Sequence, residues 1–457
     1  MLLGCADSSE QAASSPASFG QTGTNNKLQV GFFAPGRVNE AFADKVDIQL
    51  YNLHTPEALQ ENLQLAAKHG LKLFIAMGMP PKFMENIATD YNFEGQVYEK
   101  QLPPAAAIKL RRALPMALLD EGFTPFLKVM QHYPDVIEAV FLNDEPYLNG
   151  ISFQALDQLA IDTRALLDKY GLEKVKIGAV FASAMFNKAF AQHLDAASSA
   201  YAYNIDKYFL TIKEKEAKGE AAAQELQWLD AIKSFRLTTY DKANNMYVGG
   251  GLPTSLDIVG FDFYLSTLLQ DGVHNESLPW FAKQKLHPSC QEFKKSTINE
   301  LRNDLFFWDA EEKMTDDLAL QAKQTAKDKV ILDQWYTCRT ESVLALLYNE
   351  IRQSGRLDRE VLLVSESSTN GVMSFDGSGN RLADQQMDLP HSRVVDEVVR
   401  ALDLVKKHPI NHLLFFTYET ETDYSINLTI DGAEDIPEAL HLIYQNARRN
   451  HEPLPAN

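Results

Sequence analysis

The chain contains eight short apolar runs, and a helical pattern follows most of them. The runs are nearly continuous rather than strictly alternating, which is typical of parallel strands covered on both faces. They span residues 28–33, 46–51, 71–77, 136–142, 175–181, 256–264, 361–366 and 412–418. Eight consecutive β/α units in one chain predict an α/β fold, a (β/α)8 TIM barrel.

The length of 457 residues exceeds the roughly 250 residues of a typical barrel. Two long excursions account for the surplus, one over 183–255 after strand five and one from 265 to about 330 after strand six. An open doubly wound sheet is the alternative, but neither a G-x-G-x-x-G nor a G-x-x-x-x-G-K-[ST] motif is present. We therefore expect a single (β/α)8 domain over 27–457.

The charge balance limits the partners that this chain can bind. The sequence carries 43 basic and 62 acidic residues, a net charge of −19. Such a chain repels nucleic acid, whereas the binding of a neutral sugar does not depend on the net charge of the protein. No apolar run approaches the roughly 18 residues that a membrane-spanning helix needs. No sequence motif implies a metal or other cofactor.

Two of the apolar runs end on a glutamate. Strand four is followed by Asn143, Asp144, Glu145 and Pro146, and the proline ends the strand because it lacks an N–H. Strand seven ends at Glu366. Since the carboxyl ends of barrel strands meet on one face, Glu145 and Glu366 are expected at the same mouth. Two opposed carboxyl groups, one protonated and one ionised, are what glycosidic-bond hydrolysis requires.

This pattern of strand ends resembles the clan A glycoside hydrolases, which are retaining (β/α)8 enzymes. The resemblance covers about residues 27–450 as a pattern rather than as continuous similarity. It implies that Glu145 is the acid/base, that Glu366 is the nucleophile, and that Tyr264 holds the nucleophile ionised. The chain departs from the clan pattern at Asp144, where Asn is usual, although Asn143 stands one position earlier. The tryptophan that often ends strand eight is absent, and Phe416 or Tyr418 stands near its place.

Further polar and aromatic residues are candidates for sugar contacts. Arg37 follows strand one, and Asn52 and His54 follow strand two on the same predicted face. Polar loop residues are common, so each of the three is equally compatible with a purely structural role. Trp280, in the excursion after strand six, offers a flat apolar surface that could stack on a pyranose ring. Tyr264 is as readily a core aromatic as a catalytic partner.

The cysteines leave two questions open. Cys5 closes a segment that resembles the lipobox of a bacterial lipoprotein signal, and a low-complexity tether follows up to residue 26. Attachment to the membrane through a lipidated Cys5 would localise the protein to the cell envelope or outside the cell; the alternative is a chance match in a disordered N-terminus. Three cysteines are too few for a disulfide framework, so two free buried thiols are the favoured interpretation of Cys290 and Cys338, although the two could pair.

These observations predict a retaining glycoside hydrolase that acts on a poly- or oligosaccharide without a cofactor. One alternative is an inactive barrel that serves as a surface glycan-binding lipoprotein, which the Asp144 departure favours. Another is a barrel enzyme of different chemistry that uses Asp144 together with Glu145, for example in proton abstraction.

Overall fold

The structure is a computed structural model of the chain. It describes residues 28–33, 36–77, 83–88, 110–147, 151, 153–197, 214–220, 240–241, 246–247, 250–263, 272–290, 318–369, 388–423 and 428–447. The predicted tether over 1–26 with Cys5, and Tyr264 after strand six, lie outside these residues. No helix within the described ranges is long and apolar enough to cross a membrane.

Eight parallel strands close into a barrel, as the sequence predicts. They are β1 (Gln29–Phe32), β2 (Ile48–Asn52), β3 (Lys72–Ala76), β4 (Ile137–Asp144), β5 (Lys176–Ala182), β6 (Ile258–Phe263), β7 (Glu360–Glu366) and β8 (His412–Phe416). Each strand pairs with its neighbour in sequence, and β1 pairs with β8 to close the ring. The fold is therefore a (β/α)8 TIM barrel.

Side chains that point into the barrel form a core separate from the outer one. Leu50, Phe74, Phe141, Leu362 and Leu414 belong to this inner layer and are at most 2% exposed. Residues of opposite parity pack outward against the helices in a larger cluster. Because side chains alternate along each strand, the last inward position of every strand faces the carboxyl-end mouth.

Eight helices of the described residues cover or extend the barrel. They are α1 (Pro56–His69), α2 (Met116–Met130), α3 (Phe153–Lys169), α4 (Lys188–Ala197), α5 (Gly272–Lys283), α6 (Leu318–Ser354), α7 (Asp388–Lys407) and α8 (Pro437–Asn446). The sequence predicts both ends of α1, with Thr55 as the N-cap and Gly70 after the last turn. The Thr55 side chain accepts from the Ala58 N–H, and Gly70 ends the helix in the left-handed conformation at φ 59°.

The sequence pattern predicts a helix near 104–132 and another over 343–351, and the structure corrects both predictions. The helix expected over 104–132 begins only at Met116, because Leu110–Ala113 is a strand in an antiparallel hairpin with Met84–Ala88. The helix expected over 343–351 is the end of α6, which is 37 residues long and begins inside the second excursion. The charged first half of α6 lacks the helical periodicity of apolar residues from which a helix could be predicted.

The amino-terminal end of the barrel is closed by a charged layer. Lys176 on β5 donates to Glu138 of β4 at 2.5 Å and to Glu360 of β7 at 2.8 Å. His412 of β8 lies 2.8 Å from the same Glu360 carboxylate. This network ties four strands together at the end of the barrel opposite the mouth.

Cys290 and Cys338 form a disulfide bond, so the interpretation of the two as free thiols is corrected. Cys290 ends a short 3-10 helix, Pro288–Cys290, and Cys338 lies within α6. Both cysteines are fully buried. The bond therefore fixes the excursion after β6 to the helix that packs behind the barrel wall.

Candidate active site

The mouth of the barrel combines apolar and polar side chains. The residues at the last inward positions of their strands, or directly after them, are Phe33, Asn52, Ala76, Asn143, Asp262, Glu366 and Phe416. A small cavity lined by Phe33, Ala76, Phe141, Asn143 and Asp144 opens between β1 and β4. Apolar walls with a few polar groups are typical of small-molecule sites.

Glu366 ends β7 with its side chain almost fully buried, at 2% exposure. It pairs in register with Phe416 of β8, and Ser368 donates its hydroxyl to Glu366 Oε1 at 3.3 Å. The following N–H, that of Ser367, donates to the Phe416 carbonyl at 2.6 Å. The Phe416–Thr417 peptide is cis. Two strands thus hold Glu366 in a defined position at the mouth.

A buried polar network lies behind Glu366. The hydroxyl of Ser365 donates to Glu397 of α7 at 3.5 Å, and Arg400 contacts the other oxygen of Glu397 at 3.4 Å. Burial raises the pKa of Glu397 to about 8, with the Arg400 charge opposing and the Glu366 charge adding to the shift. A Glu397 that is neutral at pH 7 does not compete with Glu366 for the negative charge.

Glu145 follows β4 at a bulge in the sheet. The β4–β5 register shifts between Phe141 and Asp144, and the Glu145 N–H donates to the Val180 carbonyl at 2.8 Å. Glu145 itself adopts φ 45°. A non-glycine residue in this left-handed region is uncommon, and such residues cluster at functional sites. The bulge and the turn bring Asp144 and Glu145 together at the mouth.

Asp262, which sequence reasoning missed, lies next to these two residues. It is inward-facing on β6 and 2% exposed, accepts from the Ser183 N–H at 3.3 Å, and shares a side-chain hydrogen bond with Glu145. Burial raises the pKa of Asp262, and the contacts with Glu145, Arg339 and Ser183 oppose that shift. A signal was available, since an aspartate between two phenylalanines interrupts an otherwise apolar strand.

The neighbouring Asp144 is also perturbed. Burial, followed by the charge of Asp262, raises the pKa of Asp144 to about 8. Three carboxyl groups, those of Asp144, Glu145 and Asp262, therefore share one side of the mouth. Among the residues that the structure describes, no group of three or more His, Cys, Asp or Glu is arranged to hold a metal ion.

Arg339 is the second residue that the sequence did not reveal. It lies on α6, is 1% exposed, and donates through Nη2 to the Asp262 backbone carbonyl at 3.5 Å. Its charge acts on both Asp262 and Glu397. Nothing in the local sequence marks it, because its place depends on the packing of a long helix from the excursion.

Among the predicted sugar ligands, the structure brings Asn52 and Asn143 into the mouth. The Oδ1 atoms of both are buried and have no hydrogen-bond partner among the residues that the structure describes. Buried amide oxygens without a partner are rare in proteins, so both are suited to accept from a ligand hydroxyl. Arg37 and His54 are exposed on the loops after β1 and β2, and the Arg37 carbonyl accepts from Gln49 at 2.6 Å.

Two aromatic candidates do not reach the mouth. Trp280 lies on α5, is 8% exposed, and packs against Phe190 and Phe281 at ring-centroid distances of 5.3 and 5.7 Å. Its faces are covered by protein, so its interpretation as a sugar platform is corrected. Tyr418 packs outward on Phe32, at 5.2 Å, and lies behind the barrel wall. At the end of β8 it is Phe416 that faces inward.

No protein-family model and no curated protein matches this chain. Among solved structures, a beta-glucosidase from Thermotoga maritima in complex with galacto-hydroximolactam is 11% identical, with a TM-score of 0.34 over 89% of this chain and 85% of that chain. The virulence factor SghA from Agrobacterium tumefaciens is 10% identical, with a TM-score of 0.35 over 89% and 84%. A GH113 beta-1,4-mannanase is 9% identical, with a TM-score of 0.32 over 92% and 99%. The fold assignment rests on the strand order of the chain itself.

Proposed function

We propose that this chain is a retaining glycoside hydrolase that acts on a poly- or oligosaccharide. The observation that carries the proposal is the presence of two carboxyl residues, Glu145 and Glu366, at the carboxyl ends of β4 and β7 of one closed barrel. In this proposal Glu366 attacks the anomeric carbon. Glu145 protonates the leaving oxygen and then deprotonates the attacking water.

The surroundings of Glu366 support the role of nucleophile. A nucleophilic carboxylate has to be ionised, oriented and shielded from bulk water. Glu366 is buried, is oriented by Ser368, and lies beside a Glu397 whose raised pKa favours its neutral form.

The other mouth residues support a sugar ligand. Phe33 and Phe416 offer apolar surface, and Asn52 and Asn143 offer buried amide oxygens that no described residue hydrogen-bonds. An apolar surface flanked by a few directed polar groups fits a pyranose, which has apolar faces and a rim of hydroxyl groups.

Action outside the cytoplasm is part of the proposal. The disulfide between Cys290 and Cys338 is compatible with an oxidising compartment, where such bonds persist. We propose that Cys5 is lipidated and anchors the barrel at the cell envelope. Loss of the protein from the membrane fraction in a Cys5→Ser variant of the full chain is the expected result, and unchanged fractionation would contradict the anchor.

The test of the activity is turnover of oligosaccharides, with the anomeric configuration of the first product followed by NMR. Retention is expected, and Glu145→Ala and Glu366→Ala should each abolish most turnover without loss of the fold. Glu138→Gln, at the opposite end of β4, is the matched control. Near-normal turnover in either alanine variant would remove the assignment. Sugar binding by the wild type without turnover would instead identify an inactive glycan-binding barrel.

A further inference from the structure

The side chains of Asp262, on β6, and Glu145, directly after β4, meet across β5, which lies between these two strands. The Glu145 N–H is bonded to Val180 of β5, and Asp262 pairs in register with Ala182 of the same strand. The Ser183 N–H holds one oxygen of Asp262 at 3.3 Å. The side chain of Glu145 hydrogen-bonds to the side chain of Asp262.

A hydrogen bond between two carboxyl groups requires a proton. Ionised carboxylates carry acceptors only, so one member of the pair has to be protonated while the contact exists. Asp262 already accepts from a backbone N–H and has Arg339 close to its carbonyl. Burial raises the pKa of Asp262, whereas the Glu145 hydrogen bond, the Arg339 charge and the Ser183 N–H lower it. A hydrogen bond from Glu145 that lowers the pKa of Asp262 is one in which Glu145 is the donor, which places the shared proton on Glu145.

We propose that Asp262 is a positioning residue that keeps a proton on Glu145 and orients it in the barrel mouth. This inference deepens the proposed glycoside hydrolysis and rests on it. The acid of the reaction is then a carboxyl pair rather than a single glutamate. Asp262 does not touch the reacting atoms and acts only through Glu145.

The proton balance of the two steps follows from this pairing. In the first step the Glu145 proton passes to the glycosidic oxygen, which takes the electron pair of the breaking bond to the anomeric carbon while Glu366 bonds to that carbon. In the second step the water oxygen bonds to the anomeric carbon, the bond to Glu366 breaks and returns its electron pair to Glu366, and the water proton passes to Glu145. Repulsion from Asp262 makes the deprotonated Glu145 a stronger base for this second step.

The other charged groups described around the pair are compatible with this cycle. Asp144 faces it from β4 and, with a pKa of about 8, is mainly neutral at pH 7. Arg339 from α6 compensates part of the negative charge that remains after proton donation. Glu366 lies on β7, which neighbours the strand of Asp262, and its ionised carboxylate is the nucleophile of the proposed reaction.

The kinetic test is Asp262→Asn in the full chain. An asparagine amide at this position donates to Glu145 and so favours its ionised form. For substrates with a poor leaving group, kcat should fall about 100-fold at pH 7. The alkaline limb of kcat/KM should move to lower pH by about one unit or more. With a dinitrophenyl glycoside, whose leaving group needs no proton, the rate of the first step should change less than about threefold.

Asp257→Asn is the matched control, because Asp257 directly precedes the other end of β6. Asp257 accepts from the Ile177 N–H at 3.0 Å and pairs with Arg164 at 2.8 Å, far from the mouth. This variant should lose stability and keep the wild-type pH profile and leaving-group dependence. The same profile shift in both variants would overturn the assignment of Asp262.

A second readout does not depend on turnover. In protein labelled with 13C-glutamate, the Glu145 carboxyl resonance, assigned by its loss in Glu145→Gln, should report a protonated group at pH 7 in the wild type and an ionised group in Asp262→Asn. This result without any glycosidase activity would overturn the proposed function and leave the pair intact. An ionised Glu145 in the wild type, or turnover with an unchanged pH profile in Asp262→Asn, would overturn the inference.

Discussion

The guanidinium carbon of Arg339 lies 4.6 Å from the ring centroid of Phe263, directly after Asp262 in β6. Arg339 belongs to α6, which reaches the barrel from the second excursion. This excursion therefore does more than lengthen a loop. It brings a buried positive charge to a mouth that collects Asp144, Glu145 and Asp262.

Replacement of Arg339 by Met should be strongly destabilising, because it leaves buried carboxyl groups without their compensating charge. We expect the free energy of unfolding to fall by about 3 kcal/mol in urea titrations. Lys329→Met on the same helix removes an exposed ion pair with Asp396 and should cost about 0–1 kcal/mol. Equal losses in the two variants would show that the charge of Arg339 has no special role.

The charged layer at the amino-terminal end of the barrel should make the free energy of unfolding depend on pH in the acid range, through Glu360. Burial raises the pKa of Glu360, but the hydrogen bond and charge of His412, with those of Lys176, lower it to about 2. A pKa lowered by folding adds stability above its unfolded value, and that stability is lost as the pH falls from about 5 towards 2. Glu360→Gln should therefore cost roughly 3 kcal/mol at pH 7 and much less at pH 3. Urea titrations at both pH values test this, and an equal cost at each would contradict it.

Close approach of β1 to β2 requires glycine at position 31. A Cβ atom there would lie 1.6 Å from the Ile48 carbonyl oxygen, a backbone atom that cannot move without displacing β2. Gly31→Ala should therefore reduce stability by about 3 kcal/mol or more, or prevent folding. Gly36→Ala is the control, since a Cβ at position 36 meets no atom of the described residues within 4 Å. Thermal unfolding and soluble yield distinguish the two variants, and similar values for both would count against the clash.

The barrel and the two glutamates could be predicted because both follow from strand periodicity. Once the order of strands is known, the ends of β4 and β7 have to share a face, whatever the loops do. Asp262 and Arg339 could not be assigned in the same way. Asp262 interrupts an apolar strand and so leaves a signal in the sequence, but its contact with Glu145 depends on the bulge in β4. The position of Arg339 depends on the packing of α6. Neither tertiary feature has a local sequence pattern.

The aromatic candidates failed for a related reason. Sequence places a tryptophan in an excursion but does not say which side of that excursion faces the mouth. Trp280 belongs to the outer apolar cluster, where it packs with Phe190 and Phe281. Tyr418 has the same parity as the inward Phe416, but it lies beyond the end of β8, where strand alternation no longer applies, and it packs in the same outer cluster. Parity could have identified Phe416 as the inward residue once the ends of β8 were known.

Trp280 and Phe416 should therefore respond differently to truncation. Trp280→Ala should cost about 3–5 kcal/mol of stability and leave KM unchanged in the folded protein, because the side chain fills core volume. Phe416→Ala should raise KM about five- to tenfold through loss of an aromatic contact, with a smaller effect on stability. Urea titration and steady-state kinetics on the same preparations separate the two effects. A raised KM in Trp280→Ala would restore the platform interpretation.

The Cys290–Cys338 disulfide should stabilise the attachment of the second excursion to α6, the helix on which Arg339 directly follows Cys338. The bond joins residues 48 positions apart, so it restricts a long loop of the unfolded chain. Removal should cost about 2–4 kcal/mol. The double variant Cys290→Ser/Cys338→Ser should be less stable than the oxidised wild type by this amount in urea, and reductant should lower the wild type towards the variant while leaving the variant unchanged. Equal stability of variant and oxidised wild type would show that packing alone holds α6 against the barrel.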